Sequence, residues 1–169
     1  MEYASLVSTN PTSLGKIEKS LNAFSHHGVN SKEDVNLYKK ILDWDLSRQN
    51  TWLIERAGYS KEIADKMEEE YRKFLFLKIK YPSLRCPMSK KVDDMWHAHV
   101  LSTRNYHDFC NKVAGGVFLH HVPTISEDEN YALMPDYLDN TILLHAKHFG
   151  NPSLDFWPID AKNGACCGC

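Results

Sequence analysis

Residues 60–82 read SKEIADKMEEEYRKFLFLKIKYP, and this stretch decides the fold class. Ser60 stands where a helix N-cap belongs. Ile63, Met67, Tyr71, Phe74 and Leu77 follow at three- and four-residue steps, so they share one helix face. Glu68, Glu69 and Glu70 with Arg72 and Lys73 are expected to form the solvated face rather than a site. From Phe74 to Ile79 the pattern turns apolar nearly all round, which predicts a buried helix end. Tyr81-Pro82 closes the helix.

The same grammar runs outward in both directions. Leu14, Ile17, Leu21 and Phe24 predict a helix stopped by His26-His27-Gly28, with residues 1–12 a loose arm before it. Ser31 caps a second helix with Glu33 and Asp34 in its first turn. That helix carries two apolar stripes, one with Val35, Tyr38, Leu42 and Leu46, the other with Leu37, Ile41 and Trp44. A two-sided helix is expected to be sandwiched. Residues 50–57 predict a short helix ended by Gly58. After a loop over residues 82–88, Ser89 opens helical spacing that continues to about Val113. Gly115-Gly116 ends it. Ser126 caps a further acidic turn, and Pro135 fits the first turn of a last helix. Leu138, Ile142, His145 and Phe149 share its face, and Gly150 terminates it. No segment alternates with period two over a strand's length, and no dinucleotide or P-loop glycine pattern is present. The expectation is an all-α, compact single-domain bundle of about five to seven helices over residues 13–158, followed by a Cys/Gly-rich tail over residues 159–169. Trp44, Phe74, Leu77, Trp96, Tyr106 and Ile142 are the expected core.

The 169 residues carry 43% hydrophobic, 11% aromatic and 25% charged side chains, an ordinary globular composition. Net charge is −2, which argues against a generally basic nucleic-acid binder or a polybasic membrane binder. No apolar run reaches transmembrane length and the first 30 residues lack a signal-peptide core, so a cytoplasmic location is expected.

The five cysteines are an odd number. In the cytoplasm a disulfide framework is a poor expectation, and Cys86 and Cys110 read as small apolar fillers. Cys166, Cys167 and Cys169 crowd the final four positions beside glycine. A lipidated terminus that would bring the chain to a membrane, thiol-based metal capture or redox chemistry, and an unstructured remnant are the alternatives for that tail.

The densest set of metal-competent groups lies between Asp93 and His121. His97, His99, His107, Cys110, His120 and His121 are imidazoles and a thiol of the kind zinc prefers. On an unbroken helix His97 and His99 point about 200° apart, so they cannot grip one ion together. His99 lines up with Val92, Met95, Thr103, Tyr106 and Cys110 and is expected inward. His97 lies four residues after Asp93, an i,i+4 pair. Cys110 lies about 16 Å along a straight helix from His99, too far for a shared ion unless the helix breaks and folds back at Ser102-Thr103. Further ligands must come from another segment, and Gly115-Gly116 lets the chain reverse towards the helix it has left. The expected site therefore has His120 or His121 meeting His97 or His99. Asp93 supports it as orienter or general base, and is the catalytic candidate. Cys110 is the weakest of the metal candidates. The expected cofactor is a divalent metal ion, zinc first.

The spaced elements Asp93-x-x-Trp96-His97-x-His99, Thr103-x-x-Tyr106-x-x-x-Cys110 and Gly116-x-x-x-His120-His121-x-Pro123 resemble the glycine-rich-domain-containing-protein-like family. The resemblance runs over about residues 55–169. It implies family motif positions at Asp93, Trp96, His97, His99, Tyr106, Cys110 and His121, and it implies no particular reaction. The tail here is shorter than the Gly-rich extensions of that family.

Two functions compete. One is a metal-binding helical protein, with a hydrolase or other metalloenzyme as its catalytic form. The other is a non-enzymatic protein–protein interaction module whose histidines are scattered, each satisfied by its own hydrogen bond.

Overall fold

Serine caps set the helix starts. Ser31 accepts from Asp34 N–H at 3.2 Å while Asp34 accepts from Ser31 N–H at 3.0 Å, a complete capping box. Ser60 and Ser89 cap their helices through the N–H groups of Ile63 and Val92. The computed structural model describes residues 11–27, 30–82, 88–122 and 137–157. Its helices are α1 (Pro11–Ser25), α2 (Lys32–Leu42), α3 (Ser47–Glu55), α4 (Lys61–Lys80), α5 (Lys90–Leu101) and α6 (Thr103–Lys112). A π-helical turn over Tyr137–Ile142 then runs into α7 (Leu143–Phe149). Among the described residues there is no β-strand, so the fold is an all-α bundle.

Helix α4 is the axis, and α2, α3, α5 and α7 all pack against it. Its residues Phe74, Leu75, Phe76 and Leu77 are fully buried, as the all-round apolar pattern predicts. At one end Phe24, Tyr38, Phe76 and Phe149 bring α1, α2, α4 and α7 into one aromatic cluster, with ring centroids 4.6–5.9 Å apart. At the other end Phe74 meets Trp96 at 5.2 Å and Trp44 meets Phe109 at 5.5 Å, which seats α5 and α6. Phe74, Leu77, Trp96 and Tyr106 are buried as expected, whereas Trp44 and Ile142 are half-buried at the core's edge.

Several boundaries differ from the sequence expectation. Helix α1 begins at Pro11, inside the stretch expected as arm, because proline suits a first helical turn. Helix α3 starts at Ser47, earlier than residue 50; its N-cap Leu46 makes no side-chain bond, and Asp45 just before it accepts from Ser47 N–H at 2.9 Å. The single helix expected from Ser89 to Val113 is two. Ser102 takes φ −84 and ψ 58, its N–H bonds to His99 O, and its hydroxyl bonds back to Ala98 O.

The charge run of α4 is also corrected. Glu70 and Arg72 are buried, not solvated. Arg72 pairs with Glu68 at 2.7 Å and donates to the carbonyls of Ile41 and Trp44, closing the C-terminal end of α2. Glu70 accepts from Lys73, His145 and Trp157. The arm over residues 1–10, Cys86, Ser126, Pro135 and the cysteine tail lie outside the described residues.

Candidate metal centre

Asp93 sits on the buried face of α5, 1% exposed, one turn before His97. That spacing brings His97 Nδ1 to 2.9 Å from Asp93 O and 3.1 Å from Oδ2, so the ring nitrogen faces both as a donor. The second carboxylate oxygen, Oδ1, receives His121 Nε2 at 2.7 Å. One ligand atom each from Asp93, His97 and His121 lies within 4.8 Å of the other two.

His121 arrives by a chain reversal. Gly115 and Gly116 adopt φ 69 and 84, the left-handed region glycine favours, and Gly116 N–H bonds to Cys110 O at 3.0 Å. The segment then lies back along α5, held where Tyr106 donates to Leu119 O and accepts from Trp96 Nε1 at 3.0 Å. Leu119 and His121 turn inward and His120 outward, the alternation of extended backbone. The His121 ring packs 4.4 Å from Trp96 and 4.3 Å from His97.

The other candidate ligands go elsewhere. His99 is fully buried, as its stripe predicts, and its ring nitrogens bond to Tyr71 and Asn105. Its Nε2–H donates to Asn105 Oδ1 at 2.9 Å and its Nδ1 accepts from Tyr71 OH at 2.9 Å. Burial pushes its pKa down to about 4, which keeps the ring neutral. His120 is exposed beside Phe118. His107 is exposed beside Asn111. Cys110 is a buried free thiol whose pKa burial raises, the wrong direction for a ready thiolate ligand. Asp93 itself touches both imidazoles, His97 through Oδ2 and His121 through Oδ1.

Two features escaped the sequence reading. Asn105 Oδ1 gathers N–H donors from Trp44, Gln49 and His99, which ties α3, α5 and α6 together behind the centre. His148 repeats the arrangement of His99, donating to Asn30 at 2.5 Å and accepting from Tyr81 at 2.6 Å. Asn105 lies 56 and 61 residues from Gln49 and Trp44, and His148 lies 67 and 118 residues from Tyr81 and Asn30, so spacing gives no signal for these bonds.

His97 is the accessible member, its side chain 44% exposed. It borders an open groove of about 360 Å³ with Trp52, Ala57, Tyr59, Asp94 and Leu101. Tyr59 donates to Asp94 at 2.6 Å across that groove, and burial followed by this bond to Asp94 pushes the Tyr59 hydroxyl up to about 12.

The chain belongs to the UCP032817-like family, whose model matches residues 38–132, more than half of the sequence. That span holds α3 to α6 and all three residues of the cluster. It corrects the resemblance to the glycine-rich-domain-containing-protein-like family drawn from the W-H-x-H and H-H-x-P elements, and the match ends well before the Cys/Gly tail. No curated protein and no solved structure matches the chain. No helix among the described residues is long and apolar enough to cross a membrane.

Proposed function

We propose that the chain is a metal-binding protein whose Asp93, His97 and His121 hold one divalent ion, zinc first. The observation that carries this is the convergence of three donor atoms within 4.8 Å on a carboxylate that is 1% exposed. Donors around a tetrahedral zinc at about 2.0–2.1 Å stand about 3.3 Å apart. His121 stands 2.7 Å from one carboxylate oxygen and His97 3.1 Å from the other, so an ion would spread these contacts slightly and draw ligand atoms that now lie within 4.8 Å of one another around it. His97 Nδ1 and His121 Nε2 would each give up the hydrogen now shared with Asp93, to solvent or to the other nitrogen of the same ring, and His97 would leave Asp93 O, for which its exposed side leaves room. Three protein donors leave a coordination position open, and an ion there would supply Lewis-acid or water-activating chemistry. Two imidazoles and a carboxylate also suit ferrous iron, so metal identity is part of the test.

The competing reading is an interaction module with structural histidines. His26, His99 and His148 favour it, since each is satisfied by its own hydrogen bonds. Metal analysis of tag-free protein, followed by zinc and anaerobic ferrous titrations, separates the two. A stoichiometric ion lost in H97A and H121A, retained in H26A, and unchanged when residues 159–169 are deleted supports the centre. Absence of saturable binding, or binding that leaves with the tail, overturns it.

A further inference from the structure

We propose that the face beside His97 receives an organic anion with a planar apolar body. The position of its uncharged end at His97 rests on the metal reading; its recognition by Trp52 and the arginines does not. Trp52 is 40% exposed on the outer face of α3, and Leu101 opposite it is 67% exposed. The indole divides two recesses. On one side lies the groove with His97, Tyr59 and Asp94. On the other lies a second recess of about 360 Å³ with Arg48, Thr51, Glu55, Arg56 and Ser102.

The helix register explains the arrangement. Arg48, Thr51, Trp52 and Glu55 fall at i, i+3, i+4 and i+7 on one face of α3, and Arg56 follows at its end. Among the described residues Arg72 forms an ion pair, whereas Arg48 and Arg56 form none. Two exposed guanidiniums against the single carboxylate of Glu55 leave this recess net positive. The opposite recess carries the Asp94 carboxylate beside the Tyr59 hydroxyl. The gradient therefore orients a bound anion. Its carboxylate or phosphate goes to Arg48 and Arg56, which suit such groups by forked hydrogen bonding. Its flat body lies on Trp52 and Leu101, and its uncharged end reaches His97. An aromatic ring recovers part of the exposed indole surface, which a compact inorganic anion does not.

The test uses the full chain labelled at the indole nitrogens of its four tryptophans, with the Trp52 signal identified from W52F. The probes are 2-naphthoate, 2-naphthyl phosphate and the neutral 2-naphthylmethanol, each titrated with and without one equivalent of zinc chloride. Both anions should shift the Trp52 signal saturably. The alcohol should bind about tenfold more weakly, and R48Q/R56Q should weaken the anions by about tenfold while leaving the alcohol unchanged. Unmoved signals of the other indoles in R48Q/R56Q report an intact fold. Equal binding of anion and alcohol, unchanged anion binding in R48Q/R56Q, or no saturable shift at Trp52 overturns the proposal. Anion binding in a chain that takes up no zinc removes the metal reading alone. Zinc uptake without anion binding removes this proposal alone.

Discussion

Asp93 Oδ1 and His121 Nε2 meet at 2.7 Å although 28 residues separate them in the chain. The pairing fastens the segment after α6 to the buried face of α5. It turns one helix-borne carboxylate into a point where two imidazoles converge.

Replacing Asp93 by Asn keeps the shape and removes the charge. One oxygen becomes an NH2 group that faces an imidazole. Zinc affinity should fall by about 100-fold or more, and stability by about 1–3 kcal/mol. Chelator competition and urea denaturation read the two effects, and an unchanged D93N in both would remove Asp93 from the centre.

Gly116→Ala tests how the loop delivers His121. At φ 84 a Cβ strains the backbone by about 1–2 kcal/mol. The variant should lose that much stability and bind zinc more weakly, with Trp96 fluorescence reporting displacement of the neighbouring His121 ring. A variant with full zinc affinity and stability would show that the reversal tolerates another geometry.

Asn105→Ala strands three donors, on Trp44, Gln49 and His99, behind the centre. The expected cost is about 3 kcal/mol in a urea melt. Phe74→Ala, which empties core space against Trp96, should cost about 3–5 kcal/mol. Losses under about 1 kcal/mol at both positions would mean that neither contact holds the helices.

Acid should unfold the protein through Glu70. Burial pushes its carboxyl up, but the bond from His145, the charge and bond of Lys73 and the bond from Trp157 outweigh it and hold the value at about 2. The folded value lies below the ordinary 4.5, so its stabilisation is complete above pH 4.5 and drains as pH falls towards 2. The loss is about 3 kcal/mol. His148 acts earlier. Burial and the Lys80 charge lower its value to about 4, so the unfolded chain takes up the proton first as pH falls from 6.5 to 4. Urea midpoints against pH should flatten below 4.5 in E70Q and between 6.5 and 4 in H148Q. A wild-type slope in E70Q would show that other carboxylates govern acid unfolding.

The fold was legible where its signals are local. Ser31, Ser60 and Ser89 cap helices because the cap bond spans three residues, and the apolar stripes of α2 and α4 repeat within a few turns. The reversal at Gly115-Gly116 was legible for the same reason, and it brought His121 rather than His120 to Asp93 through the alternation of extended backbone. The break at Ser102 was legible only as an option at Ser102-Thr103, since serine and threonine also fit a helix interior. The burial of Glu70 and Arg72 was hidden because a charged helix face looks solvated until distant partners are known. For Glu70 those partners lie 75 and 87 residues away.

The Gly115-Gly116 reversal also bears on the order of assembly. It closes the 28-residue loop between Asp93 and His121, whereas Trp157 reaches Glu70 across 87 residues and His148 reaches Asn30 across 118. Closing a longer loop costs more chain entropy, and distant pairings slow folding. We expect α5, α6 and the segment carrying His121 to gain exchange protection first in pulse-labelled refolding, and α7 to dock last. The Asp93-His97-His121 cluster would then be built before the bundle is shut, while its three side chains are still open to solvent.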